Sequence, residues 1–313
     1  MKYRFHTVDV FTDQIFGGNP LAVFPEADGL SQRQMQIIAR EFNLSETVFV
    51  QRPRRPDCMN RLRIFTPHTE LPFAGHPTLG AAFLLAELGA IYLESDETRV
   101  VFEEGMGQVS ISLRARGGRV CFTRLSLQIT PQQGTQPPGR ERLAEILSLA
   151  ESDFVETPQA IQALGCGLPY LLVNVKNRQA VSHARLDPQA WQKHLADFWA
   201  PNIYIYTHDA MLPGSQLRAR MFAPALGVAE DPATGSAAAA LGMALARQDP
   251  LPSGRWSWVV EQGFELGRPS FIEVQVDKRH GDIHKVHVGG RCVQVAQGMM
   301  EVPPIEGEAI CGP

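Results

Sequence analysis

Two stretches of this chain follow one pattern, and the repeat limits the possible folds more than any other feature. Arg63 to Gly80 reads RIFTPHTELPFAGHPTLG, and Arg220 to Leu241 reads RMFAPALGVAEDPATGSAAAAL. Each has Arg-x-Phe-x-Pro, a short loop, Glu-x-Pro-x-x-Gly, one polar residue and an apolar run with helical character. The polar residue is His76 in the first copy and Ser236 in the second. The loop is three residues longer in the second copy, yet the spacing from Glu70 to His76 equals that from Glu230 to Ser236. A weaker echo lies upstream, where GNPLAVF at Gly18 matches GLPYLLV at Gly167. The chain reads as two homologous halves, each supplying a glycine turn and a helix start, with room for a ligand between them.

A chain of 313 residues that is 44% hydrophobic suits one large or two medium globular domains. A formal net charge of -4, and no basic tract longer than RPRR at Arg52, argue against a nucleic-acid partner. The first residues, YRFHTVDVF, lack the charged and then apolar regions of a signal peptide, and no apolar run is long enough for a bilayer. The expectation is a cytoplasmic protein without a membrane partner. Five cysteines, Cys58, Cys121, Cys166, Cys292 and Cys311, never occur as Cys-x-x-Cys and are expected as reduced thiols.

Short strands dominate the pattern: Val8 to Phe11, Leu21 to Phe24, Thr47 to Val50, Leu62 to Phe65, Thr98 to Phe102, Val109 to Leu113 and Val120 to Ile129, separated by Gly, Pro or Asp clusters. Ser31 and Gln34 form a capping-box signature ahead of Met35, Ile38, Ala39 and Phe42 at helical spacing. TPQQGTQPPGR from Thr130 is the best linker candidate. Beyond it come a helix near Leu143 to Leu149, a helix opened by Asp187 and Pro188, and strands at Tyr170 to Val175, Ile203 to Tyr206, Leu217 to Phe222, Trp256 to Glu261, Phe271 to Val276, Val286 to Val288 and Cys292 to Ala296. The helices after the repeated motif, AAFLLAEL and SAAAALGMALA, have almost no polar face and must be enclosed by protein. Each half is therefore expected to wrap strands around one central helix.

A helix N-terminus offers unpaired N–H groups and partial positive charge, so the two starts at Gly75 and Gly235 suit a substrate carboxylate. Two readings stand side by side here: Ser236 as a ligand-binding hydroxyl or as an ordinary N-cap, and Gly75 as a site of close approach or as a simple turn. His76 at a positive helix end should stay neutral, able both to donate and to accept. Asp231 precedes Pro232, where an aspartate also commonly starts a turn. Glu46 is the most suggestive single residue. A strand beginning there puts its carboxylate on the face of Val48 and Val50, where desolvation raises the pKa toward the range of an acid that takes and returns a proton. The competing reading is a glutamate at the strand rim with its head in water. His280, Asp282, His284 and His287 hint at a metal, but His284 and His287 of a hairpin point to opposite faces, so no metal is expected. No Walker loop and no Gly-x-Gly-x-x-Gly helix opening suggests a nucleotide cofactor.

Taken together, GGNPLAVF at Gly17, NLSETVFV at Asn43, FTPHTELPFAGHPTLGAA at Phe65, GLPYLLV at Gly167, RARMFAP at Arg218, EDPATGSAA at Glu230 and EQGFELGRPS at Glu261 resemble the phenazine-biosynthesis PhzF-like family, within the diaminopimelate-epimerase-like fold. The resemblance implies an α+β fold with two pseudo-symmetric halves, each a β-barrel-like sheet around a central α-helix. It also implies an active site in the cleft, no cofactor, and a homodimer. By analogy, residues 1–130 with 299–313 form one half and 131–298 the other. It implies too that Glu46 shuttles a proton between two carbons of a small carboxylate-bearing substrate, while His76, Asp231 and Ser236, with Gly75 and Gly235, hold the substrate. The thiol racemases of this fold place a cysteine at each helix start, where this chain has His76 and Ser236. An amino-acid-type epimerase or racemase, and a non-catalytic small-molecule binder, remain the alternatives to an isomerase.

Overall fold

The computed structural model describes residues 1–128 and 130–304, so Ile129, Cys311 and the tail from residue 305 onward, expected above in the N-terminal half, lie outside the described residues. The chain divides into two compact units: Met1–Phe16, Pro20–Thr123 and Cys292 onward, and Gly17–Asn19 with Arg124–Arg291.

In chain order the first run of elements is β1 (Lys2–Val10), β2 (Asn19–Phe24), α1 (Gln32–Phe42), β3 (Glu46–Gln51), β4 (Asn60–Phe65), β5 (Glu70–Leu71), α2 (Gly75–Glu87), β6 (Glu97–Glu104), β7 (Gly107–Arg116) and β8 (Arg119–Leu127). The second run is β9 (Gln132–Gln133), α3 (Arg140–Leu147), β10 (Ile161–Cys166), β11 (Leu168–Asn174), α4 (Arg178–His183), α5 (Pro188–His194), β12 (Asn202–Thr207), β13 (Leu217–Ala223), β14 (Val228–Asp231), α6 (Gly235–Gln248), β15 (Gly254–Gln262), β16 (Ser270–Arg279) and β17 (Asp282–Gly290). The chain then returns to the first unit as β18 (Cys292–Glu301), antiparallel to β1.

The first unit's ladder sets β2 parallel to β3, β3 antiparallel to β4, β4 parallel to β6 and β6 antiparallel to β7, with β5 on the far end of β4. The second unit repeats it: β11 parallel to β12, β12 antiparallel to β13, β13 parallel to β15, β15 antiparallel to β16, and β14 on β13. Among the described residues the strands do not close into a barrel.

Each unit holds a central helix on one sheet face and outer helices on the other. Every residue of α2 from His76 to Ala86 is buried, and α6 is buried along nearly all of its alanine-rich length. A helix with no polar side is stable where protein encloses it on every side. Glycine allows the close fit: a Cβ on Gly80 would meet Leu21 Cδ2 at 2.6 Å, and one on Gly242 would meet Val274 Cγ1 at 2.5 Å. On the outer face, Met35, Ile38 and Ala39 of α1 pack with Phe24, Phe49 and Phe65. In the second unit α3, α4 and α5 cover Ile203, Ile205 and Phe222. Strands β3 and β12 are therefore covered on both sides, which is why their sequences read as nearly unbroken apolar runs.

The Ser31 and Gln34 capping box is present, and Asp187 caps α5 through the N–H groups of Gln189 and Ala190. The stretch read as a linker is not free chain. It carries β9, paired to β10, and Gly134 within it packs on the Trp199 ring closely enough to exclude a side chain. Strand β10 and helix α4 carried no clear pattern in the sequence. Among the described residues no helix is long and apolar enough to cross a membrane, and Cys58, Cys121, Cys166 and Cys292 are free.

Candidate active site

The first unit brings Glu46 and His76 together. Strand β3 starts at Glu46, paired in parallel register with Leu21, so its side chain shares the face of Val48 and Val50. Helix α2 starts at Gly75, and His76 Nε2 lies 3.3 Å from Glu46 Oε2. The side chains are only 8% and 17% exposed, so the Glu46 head is not spread into solvent at a strand rim. Burial pushes the His76 pKa down to about 3, so the ring is neutral at physiological pH. The neutrality expected from the helix end has desolvation as its cause. The residue capping α2 is Ala74, whose side chain has nothing to cap with, so the helix starts without a side-chain cap.

One turn further, Thr78 Oγ1 lies 2.7 Å from the Ala74 carbonyl oxygen and 2.6 Å from Glu104 Oε1. Threonine carries one hydroxyl proton and faces two acceptors, so satisfying both requires a proton on Glu104. Burial accounts for that state: the Glu104 pKa is pushed up to about 8, against a smaller opposing effect from Thr78. Sequence reasoning missed this carboxylic acid.

In the second unit Asp231 ends β14 and accepts a 2.9 Å bond from Asn19 Nδ2, which also donates to the Ala233 carbonyl. Thr234 Oγ1 donates to the other Asp231 oxygen. Burial pushes the Asp231 pKa up to about 6, opposed by these two bonds. Helix α6 starts at Gly235. Its cap residue is Thr234, whose hydroxyl turns to Asp231 and leaves α6, like α2, without a side-chain cap. Ser236 is thus the second residue of the helix, not its cap, and its Oγ lies 2.6 Å from the Tyr170 hydroxyl.

Beneath these residues Gln262 uses its whole amide. Its Oε1 accepts from Thr234 N at 3.2 Å and from Tyr204 OH at 3.0 Å, and its Nε2 donates to the Asp231 carbonyl and Thr234 Oγ1. Asn19, Thr234 and Gln262 escaped the sequence reading. A longer repeat contained a signal for one of them, since Glu103-Glu104-Gly105 occupies the place of Glu261-Gln262-Gly263 after equivalent strands.

The repeated arginine also has a role that the motif left unspoken. Arg63 forks onto Glu70 through Nε and Nη2, and Arg220 grips Glu230 in the same way, both ends at 2.8 Å. These bidentate pairs fix the turn that delivers each helix start. Elsewhere His287 bonds Ser126 through Nδ1 and faces Asp277, while His284 is exposed. Among the described residues no group of three or more His, Cys, Asp or Glu is arranged to hold a metal.

The profile of a family described as phenazine biosynthesis-like protein matches residues 8–298. The chain belongs to that family. An uncharacterized isomerase of Mesorhizobium japonicum is 38% identical over 93% of this chain and 96% of its own length. The trans-2,3-dihydro-3-hydroxyanthranilate isomerase of Pseudomonas aeruginosa is 37% identical over 95% and 98%. Kinship of this extent with named isomerases makes this phenazine biosynthesis-like protein an isomerase by class. Its fold matches the crystal structure of a Bacillus anthracis protein of the PhzF family with a TM-score of 0.86, covering 96% of this chain and 100% of the other at 24% identity.

Proposed function

We propose that the protein is a cofactor-independent isomerase that moves a proton on a small, carboxylate-bearing, unsaturated substrate, with Glu46 as the acid and base. The observation that carries this reading is the 3.3 Å approach of Glu46 to a buried, neutral His76 at an uncapped helix start. Carboxylate Glu46 takes a proton from a carbon next to the double bond. The C–H electron pair forms a new double bond, the old one shifts, and protonated Glu46 returns its proton to the far carbon. No electrons leave the substrate, so the step is a net isomerisation. Neutral His76 can donate to a substrate oxygen or nitrogen without adding charge to the pocket. Asp231 and Ser236 hold polar groups of the substrate, and the backbone N–H groups at Gly75 and Gly235 suit its carboxylate.

A positioned acid or base contributes roughly 10² to 10⁴ in rate. A metabolite screen by mass spectrometry in D₂O, run on wild type and Glu46→Gln, tests the assignment. Deuterium should enter one compound in the wild-type reaction and fall by roughly 10²-fold or more in the variant, with ligand binding retained. Near-wild-type exchange by Glu46→Gln would sink the role given to Glu46.

A further inference from the structure

The repeat assigns a partner to Glu46 that the motifs do not reveal. In the first unit the parallel register pairs Leu21 with Glu46, and in the second it pairs Tyr170 with Asn202. Leu21 and Tyr170 occupy the same place in the Gly-x-Pro echo, so Asn202 stands where Glu46 stands. Asn202 is 3% exposed, and its Oδ1 is buried without a hydrogen-bond partner. Leaving such a group unsatisfied carries its full desolvation penalty, an expense that calls for a reason.

Its direction follows from the strand. Ile203 and Ile205 pack into the cluster under α3 to α5. Alternation therefore turns Asn202 and Tyr204 to the α6 side, and Tyr204 reaches Gln262, which holds the N–H of the α6 cap residue Thr234. Tyr170, the register partner of Asn202, bonds Ser236 at the second residue of α6. An uncapped helix start and a buried amide oxygen without a partner thus address one locality within the second unit.

We propose that Asn202 is a specificity-determining residue that contacts the substrate at the start of α6, its Oδ1 reading an N–H or O–H donor adjacent to the substrate carboxylate. The helix end supplies donors for the carboxylate, and Asn202 Oδ1 adds an acceptor with no partner of its own. The proposal rests on the assignment of the α6 start to substrate binding made above. Its ligand class is a carboxylate with an amino or hydroxyl group on the neighbouring carbon, as opposed to a bare carboxylate.

The test is calorimetric titration of the full-length protein with 2-aminobenzoate and with benzoate. Wild type should prefer the amino acid by ~3–10-fold, the worth of one neutral hydrogen bond. Asn202→Leu should bring the two to parity, leaving benzoate affinity within about twofold. Asn202→Ala, included in case leucine does not fit, should give the same parity, and Asn202→Asp, which keeps an acceptor, should retain the preference. A preference that survives in both the leucine and alanine variants, or a wild type that binds the two acids equally or binds neither, overturns the proposal. Turnover is not needed for this readout, so a failure here leaves the deuterium result for Glu46 standing, and the reverse also holds.

Discussion

The two units share a ladder but not a chemistry. At three matched places the first unit has an ionisable side chain, Glu46, His76 and Glu104, and the second has a neutral one, Asn202, Ser236 and Gln262. At a fourth the order reverses: Leu71 pairs with Ile64 where Asp231 pairs with Met221. The backbone pairings, the Arg to Glu forks and the uncapped helix starts are kept in both. The duplicated scaffold keeps its geometry while the ionisable side chains fall mostly in one copy and the neutral ones in the other.

Substitutions at the matched positions put that contrast to the test. The largest expected effect is the loss of turnover in Glu46→Gln. Next comes an exchange between the copies. Gln262→Glu removes both donor bonds to the Asp231 carbonyl and Thr234 and puts a second acid beside Asp231, so urea unfolding at pH 8 should show a loss of about 2–4 kcal/mol.

Glu104→Gln should do the opposite, by an amount that grows with pH. The folded-state pKa of Glu104, about 8, lies above its ordinary value of 4.5, so between these values the native state holds a proton that the unfolded chain releases. Wild-type stability should therefore fall as pH rises from 4.5 to 8, and the variant should escape that part of the decline. The two proteins should match near pH 4.5, and at pH 8 the variant should be ahead by on the order of 2–4 kcal/mol. A constant difference across this range would show that Glu104 does not hold a proton.

A third pair concerns glycines. A Cβ on Gly263 would sit 2.5 Å from the Pro232 and Arg268 carbonyl oxygens at φ +79°, whereas one on Gly105 would meet Pro72 Cα at 2.8 Å without a positive φ. Both alanine variants should be destabilised, by roughly 1–3 kcal/mol from crowding, and Gly263→Ala by about 1 kcal/mol more because its backbone is also strained. Equal denaturation midpoints would remove this difference between the copies. The smallest effect is none at all: the His76 ring should show no titration between pH 5 and 8 in a nitrogen-15 NMR series, because its pKa lies near 3. A midpoint inside that window would contradict the neutral ring.

Much of this was legible in the sequence, for physical reasons that differ by element. The central helices could be read because an all-apolar helix has only one place to go, and Glu46 stood out because a carboxylate interrupts the apolar face of a strand. Asn202 and Gln262 were silent because neutral amides break no pattern of charge, and their meaning emerges only from which strand lies beside which. Thr234 was passed over because a serine following a glycine can equally be read as the cap until the helix boundary is known. The stretch from Thr130 looked like a tether by composition, and only its pairing with β10 shows otherwise.

Because β18 is the antiparallel neighbour of β1, the first unit cannot complete its own sheet until synthesis has passed the second unit. The second unit faces no such wait, since its strands are contiguous in the message apart from a short early segment. During synthesis β1 must therefore persist as an exposed edge, open to pairing with another nascent chain. A translational stall just before Cys292 would leave the first unit unfinished while the second is already fully formed.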